Sequence, residues 1–211
     1  MDEVIEKYMK EGLVWLPEQE IGYFPVEGAV YNDKYFDEYV NRGNTEIGRC
    51  LNAFRVSLVD RYVTGRVLDI GVGCGTFLRL RKNCVGFDIN SKAVQLLKEA
   101  RLFCNPYETD FESGVIEGVT FFDSLEHIES PGRILSRIGK QIVFVAIPIL
   151  RDLNHLLSSK HLKKKEHFYY FTKDSFVRYM VSFGFGLLEF RNDEIKCGRE
   201  DIYTFVFKKE V

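Results

Sequence analysis

The sequence predicts an α/β protein with a mostly parallel, seven-stranded sheet, helices on both faces and a C-terminal antiparallel hairpin. Three observations predict this fold. From residue 66 onward, short apolar runs typical of buried strands alternate with segments of helical periodicity, which is the pattern of a parallel sheet covered by helices. A glycine-rich loop over 71–75 joins the first of these strands to a helix. Two strand-like segments end the chain, with a short connection that contains glycine between them.

The first part of the chain, 1–45, differs in amino-acid composition from 46–211 and is predicted to form a cap or lid on the domain over 46–211. Pro17 and Pro25 interrupt any regular pattern there. Tyrosines at 31, 35 and 39 recur at helical spacing, which predicts a short helix over 33–41 with an aromatic face. A second helix is predicted over 45–62, with apolar side chains on one side (Ile47, Leu51, Phe54, Leu58, Val59).

The alternating part of the chain supplies most of the sheet. Strands are predicted over 66–70, 84–88, 102–107, 119–123 and 141–147, and helices over 77–82, 91–100 and 131–138. Asn90 or Ser91 is suited to cap the second of these helices. Thr172 is suited to cap a further helix that runs to Phe183, where Gly184 can take the left-handed conformation that ends a helix. Strands over 185–192 and 201–208 then form the closing hairpin.

Composition narrows the function classes. The chain has 211 residues, 45% of them hydrophobic, and a formal net charge of −2, which argues against a nucleic-acid partner held by bulk electrostatics. The one basic run is 160–165. Neither a signal peptide nor a membrane-spanning apolar run is present, so we expect a cytoplasmic protein without a membrane partner. The five cysteines include no C-x-x-C pair, so no zinc knuckle is predicted. The oligomeric state is not predicted.

The glycine loop has the chemistry of a nucleoside-cofactor site. Gly71, Gly73 and Gly75 alternate with other residues directly after a buried strand that contains Asp69. Glycines let the backbone approach a ligand closely, and the helix that follows offers free N–H groups to an anionic group. The next strand ends in Asp88, 19 residues after Asp69, where a carboxylate can accept hydrogen bonds from both ribose hydroxyls.

The spacing of these residues resembles that of the class I S-adenosylmethionine-dependent methyltransferases, because residue 76 is threonine and the dinucleotide fingerprint needs glycine there. Further likenesses are the D-x-x-E-H stretch over 123–127, a proline at 148 placed after the fifth strand, and a histidine at 167 shortly before Phe171-Thr172. The resemblance is greatest to the small-molecule, ubiquinone-biosynthesis-like group, and it implies a Rossmann-like fold. It also implies that S-adenosylmethionine is bound by the loop and by nearby side chains (Asp69, Gly71, Gly73, Gly75, Asp88, Ile89, Asp110, Phe111, Asp123).

The reaction expected from this resemblance is methyl transfer to an oxygen or nitrogen atom of a small-molecule acceptor. His127 is the candidate catalytic residue, since a neutral imidazole can take a proton from the acceptor. Candidate acceptor-binding residues are Tyr35, Tyr39, His155 and His167.

Two alternatives stay open at this stage. Some RNA 3′-end 2′-O-methyltransferases hold a divalent metal through an E-x-x-E-H stretch and a further histidine, which His155 or His167 would supply here. The same D-x-x-E-H stretch occurs in metal-free enzymes, so a metal-free site is favoured and a nucleic-acid substrate is possible but not favoured. The second alternative is a non-catalytic scaffold that keeps the cofactor fold; the intact loop argues against it.

Overall fold

The computed structural model describes residues 3–26 and 31–209. Nine strands form one sheet: β1 (Val14–Leu16), β2 (Ile21–Tyr23), β3 (Arg66–Ile70), β4 (Cys84–Phe87), β5 (Ile116–Phe122), β6 (Ile142–Leu150), β7 (Tyr169–Thr172), β8 (Phe185–Arg191) and β9 (Ile202–Lys209). The α-helices are α1 (Glu3–Lys10), α2 (Asp33–Gly43), α3 (Glu46–Asp60), α4 (Thr76–Leu80), α5 (Ser91–Glu99), α6 (Gly132–Leu135), α7 (Leu153–Ser158), α8 (Lys173–Val181) and α9 (Asp193–Lys196).

The central strands confirm the predicted α/β fold. They run in the order β4-β3-β5-β6 and pair in parallel. The closing hairpin is also confirmed, since β9 pairs antiparallel with both β6 and β8. Side chains alternate between the two faces, so that Val67 and Leu68 lie in different apolar cores. Helices α3 and α4 cover one core, and α6 and α8 cover the other.

The predicted third strand, 102–107, is wrong. Only Phe103 forms a bridge with Gly86 of β4, and the chain then turns, with Glu108 and Thr109 donating backbone hydrogen bonds to the carbonyl of Asn105. Pro106 has no N–H to offer a neighbouring strand, which explains why the segment does not extend.

The fifth predicted strand is longer than expected, because β6 continues through Pro148 to Leu150. Pro148 therefore lies inside the strand and not after it. Up to this residue β6 pairs with β9, and from Ile149 onward it pairs with β7. Proline has no N–H to donate, and Pro148 lies where β6 stops pairing with β9 and begins to pair with β7. A missing hydrogen bond is tolerated at such a position.

The N-terminal hairpin formed by β1 and β2 was not predicted, nor was β7. Strand β2 pairs antiparallel with β7 and so joins the hairpin to the main sheet. Both strands of the hairpin have only three residues each, too few to show the alternation on which a strand prediction depends. The division into a cap, 1–45, and a domain, 46–211, stays a prediction.

Most helix boundaries agree with the sequence. The side chains of Asn90 and Thr172 cap α5 and α8 as predicted, and Gly184 takes a positive φ of 84° after α8. Ile47 is an exception, because it is exposed and does not belong to the apolar face of α3. None of the helices within 3–26 and 31–209 has the length and apolarity needed to cross a membrane.

Candidate active site

A cavity of about 750 Å³ opens at the carboxyl ends of β3, β4 and β5. In a parallel sheet these ends are where ligands usually bind, because the strand order reverses there and leaves a crevice. The glycine loop forms one wall, the segment over 31–43 that includes α2 forms a second, and residues after β5 form a third.

The glycine loop takes the conformation that its sequence suggests. Gly71, Gly73 and Gly75 have φ angles of 85°, 53° and 73°, which are strained for other residues. Gly71 is the most restricted, because a Cβ atom there would lie 2.4 Å from the Cβ of Ser124. Gly71 and Gly73 line the cavity, whereas Gly75 precedes the first residue of α4. The loop therefore presents backbone directly to a ligand.

Asp69 lies at the base of the cavity and is almost fully buried. Its Oδ1 accepts a hydrogen bond of 2.6 Å from the Thr120 hydroxyl. Burial raises the pKa of Asp69 to about 7, although the Thr120 hydrogen bond opposes the shift. A cationic group bound beside this carboxylate would favour its ionised form.

Asp88 connects the glycine loop to the segment over 31–43 (the lid). Its two oxygens accept hydrogen bonds of 2.8 Å from the backbone N–H groups of Gly73 and Asn90. Burial raises the pKa of Asp88, and these N–H groups oppose that shift. The Asn90 amide in turn donates to the carbonyl of Tyr31 at 3.0 Å. Asp88 and Ile89 both line the cavity; their roles in holding a ribose and an adenine stay predictions.

The lid places an aromatic surface over the cavity. Tyr35 and Tyr39 line it, and the Tyr35 hydroxyl donates to the Tyr39 hydroxyl at 3.0 Å. Tyr31 packs edge-on against Tyr35 with 5.2 Å between ring centroids. Phe36, on the same helix, is buried against Val72 of the glycine loop and against α5. Lid and loop are thus packed as one unit.

Asp123 is held by a charge network that the sequence did not predict. Its carboxylate accepts hydrogen bonds from Arg55 and Arg199, and both arginines also contact Glu194. The two arginines hold the pKa of Asp123 below its usual range. The sequence contained one signal of this network: the charged Arg55 stands among the apolar residues of α3, one helical turn after Leu51.

His127 lines the cavity, and its Nδ1 is engaged by protein groups. Nδ1 lies 2.8 Å from the Tyr31 hydroxyl and 2.9 Å from the carbonyl of Glu166. Nε2 lies 3.9 Å from Oε1 of Glu126. Burial lowers the pKa of His127, so the imidazole is neutral at pH 7.

Glu126 and His167 lie behind His127 and do not line the cavity. Burial and the charge of Asp123 raise the pKa of Glu126 to about 8. Burial, followed by the neighbouring His127, lowers the pKa of His167 to about 2. The rings of His127 and His167 meet edge to face, with 4.6 Å between centroids.

Three other residues expected at the site lie away from the cavity. Asp110 is exposed and caps a short 3₁₀ helix, where it accepts from the N–H of Glu112. Phe111 is buried in the apolar core. His155 pairs with Asp201 at 3.1 Å. The roles predicted for these three residues stay predictions; aromatic rings at Phe87 and Tyr107 line the cavity nearby.

The basic run over 160–165 also lies outside the cavity. Lys160, Lys163 and Lys164 each form an ion pair with a glutamate, namely Glu200, Glu166 and Glu11. These pairs neutralise much of the positive charge that a polyanion would need.

A protein-family model described as "Methyltransferase domain" matches residues 46–189, more than half of the chain. No curated protein matches the sequence significantly.

Several solved structures share the fold. The [4+2]-cyclase SpnF is 13% identical, with a TM-score of 0.61, and the match covers 90% of this chain and 99% of that one. A possible histamine N-methyltransferase from Thermotoga maritima is 13% identical, with a TM-score of 0.60 and coverages of 84% and 97%. Magnesium protoporphyrin IX methyltransferase from Synechocystis, solved with bound SAH, is 12% identical, with a TM-score of 0.60 and coverages of 85% and 96%. At these identities the likeness establishes the fold, while the reaction must be argued from the site.

Proposed function

Since this chain belongs to the methyltransferase domain family, as a class I S-adenosylmethionine-dependent enzyme, we propose that it methylates an oxygen or nitrogen atom of a small-molecule acceptor. The observation that carries the proposal is the cavity, which extends from the glycine loop to His127 under the tyrosines of the lid. Its volume of about 750 Å³ lies within the range of small-molecule sites, about 300–1,000 Å³.

S-adenosylmethionine is the cofactor, and it supplies an electrophilic methyl group on a sulfonium. The loop residues Gly71 and Gly73 would hold its methionine part. Asp88 would accept the ribose hydroxyls through the oxygen lone pairs that Gly73 and Asn90 leave free, and Ile89 would pack on the adenine. The buried Asp69 would face the ammonium group, because a carboxylate in this position gains most from a cationic partner.

The acceptor would occupy the part of the cavity beneath Tyr35 and Tyr39, close to His127. Aromatic walls exclude water and orient a small substrate, and orientation supplies much of the rate in a methyl transfer. The aromatic walls and the ion-paired lysines over 160–165 favour a small acceptor over a nucleic acid.

A proton must leave the acceptor if it is a hydroxyl or an ammonium. The proposed acceptor of that proton is His127, which burial keeps neutral. Only Nε2 is suitable, because the carbonyl of Glu166 can accept but not donate and therefore favours a proton on Nδ1. Tyr31 then positions the ring through its hydroxyl.

Titration of S-adenosylmethionine and S-adenosylhomocysteine into the purified chain tests the cofactor site. Asp88→Asn removes the charge from the ribose-binding group, and hydrogen bonds to a charged group contribute about 1.5–3 kcal/mol. Binding should weaken by about 10- to 150-fold. Asp174→Asn is the matched control, because that aspartate is exposed in the first turn of α8 and lies outside the cavity; cofactor binding by this variant should equal that of the original chain.

Acceptor screening completes the test. Purified chain with labelled S-adenosylmethionine should methylate members of a library of small hydroxyl and amine compounds and leave RNA unlabelled. Label transferred only to RNA would contradict the proposed acceptor class, and tight cofactor binding without transfer to any acceptor would favour the scaffold interpretation.

A further inference from the structure

We propose that Glu126, His127 and His167 form a binding site for a divalent transition-metal ion in the wall of the cavity. One donor atom from each side chain lies within 4.8 Å of the other two. Two imidazoles and one carboxylate form a donor set that suits zinc, iron or cobalt and does not suit magnesium or calcium, which prefer oxygen ligands.

The unsatisfied hydrogen-bonding atoms of this cluster point to a missing ligand. Oε2 of Glu126 and Nδ1 of His167 are buried and have no hydrogen-bond partner among the described residues. The residues themselves are only 2% and 3% exposed. Buried polar atoms are nearly always satisfied, because leaving one unpaired costs about 1–3 kcal/mol. Two such atoms from neighbouring side chains are explained together if a cation lies between them.

The surroundings of His127 fit the role of a metal ligand. Its Nδ1 lies 2.9 Å from the backbone carbonyl of Glu166, which places the proton on Nδ1 and leaves the lone pair on Nε2. Metal-binding histidines typically donate their second N–H to a carbonyl or carboxylate in this way. The free Nε2 lies 3.9 Å from Oε1 of Glu126. Donors on a tetrahedral ion lie about 3.4 Å apart, so an ion would need to draw this pair together by only about half an ångström.

Asp123 does not take part, although it opens the same D-x-x-E-H stretch. Arg55 and Arg199 already hold its carboxylate, so it is not free to bind an ion. The site therefore has three protein ligands, an arrangement that leaves coordination positions open. Because His127 lines the cavity, water or an oxygen of a bound molecule can take such a position. An ion on Nε2 would replace the proton-accepting role of His127.

Titration with Co²⁺ tests the site directly, because cobalt bound by nitrogen and oxygen ligands has visible absorption bands. The full chain, without a histidine tag, should bind one Co²⁺ per molecule, and Zn²⁺ should displace it. Glu126→Gln and His167→Gln keep similar side-chain volumes, and each should weaken Co²⁺ binding by more than about 10-fold. His161→Gln is the matched control, since His161 is also buried but contacts the carbonyl of Glu200; its binding should be unchanged.

Circular dichroism and S-adenosylhomocysteine titration of each variant would separate loss of the metal site from loss of the fold or of the cofactor site. Loss of Co²⁺ binding in a variant that is folded and binds S-adenosylhomocysteine supports the metal site. Two results would overturn it: no stoichiometric Co²⁺ binding by the original chain, or equal Co²⁺ binding by folded Glu126→Gln. Either result would leave the cofactor titration, and with it the proposed methyl transfer, untouched.

Discussion

Replacing Arg55 by methionine should destabilise the protein more than any loss of a surface ion pair. The Arg55 side chain is 7% exposed and lies 2.8 Å from Asp123 and 2.9 Å from Glu194, whose side chain is fully buried. Removing one partner of a buried ion pair costs about 3–5 kcal/mol, because the remaining charge is left without compensation. Arg199 still contacts both carboxylates, so the lower end, about 3 kcal/mol, is expected.

Denaturant unfolding and thermal unfolding, both followed by circular dichroism, measure this loss. For a chain of this size a loss of 1 kcal/mol lowers Tm by about 2–4 °C, so Tm should fall by about 6–12 °C. Arg61→Met is the matched control, since Arg61 pairs with Glu189 at 2.8 Å but is 49% exposed. That substitution should cost less than about 1 kcal/mol.

A double-mutant cycle then tests the physical cause. Adding Glu194→Gln to Arg55→Met removes the stranded charge, so the pair of substitutions should cost less than the sum of the two single ones by at least about 1 kcal/mol. The reasoning is refuted if Arg55→Met costs no more than Arg61→Met, or if the effects of Arg55→Met and Glu194→Gln simply add.

Three further predictions follow from the site. Gly71→Ala should abolish cofactor binding or folding, because its Cβ would meet a neighbouring side chain, whereas Gly75→Ala should cost only about 1–2 kcal/mol for its positive φ; equal damage in thermal-unfolding and titration assays would contradict this. Burial raises the pKa of Asp69 to about 7, so the folded chain keeps a proton that the unfolded chain loses above about pH 4. Its stability should fall from pH 4 to pH 7 by at most about 4 kcal/mol through this group, and Asp69→Asn should flatten that slope in unfolding curves measured at several pH values. Tyr31→Phe removes the hydroxyl that contacts His127 and should lower kcat with little change in cofactor affinity; an unchanged kcat would show that this contact has no part in the reaction.

The sequence predicted the parts of the fold that depend on local patterns. The strands around the glycine loop and the caps of α5 and α8 were found, because apolar runs and capping side chains are local signals. The hairpin of β1 and β2 was missed, since three-residue strands are defined only by their partner β7. The predicted end of the fifth strand at Ile147 was wrong, because β6 continues through Pro148. The strand tolerates this proline since it changes partner there, and that change depends on the distant strand β9.

The same distinction applies to the site. The positions of Asp69 and Asp88 at the cavity could be predicted because each stands at a fixed distance from the glycine loop; their binding roles stay predictions. The charge network was missed, since it joins Arg55 to Glu194, which lies at the far end of the chain, and no spacing rule connects them. Sequence spacing left His155 and His167 as alternative partners of Glu126 and His127, because the choice depends on how the residues before β7 pack against those after β5.

The pairing of β2 with β7 has a consequence for the order of folding. Ile21 lies opposite Phe171, so nearly the whole chain must be in place before the N-terminal hairpin can join the sheet. Contacts between such distant residues form slowly, because the loop between them must close first. In a chain emerging from the ribosome, residues 14–23 have no strand to pair with until β7 has been synthesised. The first strands to be synthesised are therefore among the last to pair with the sheet.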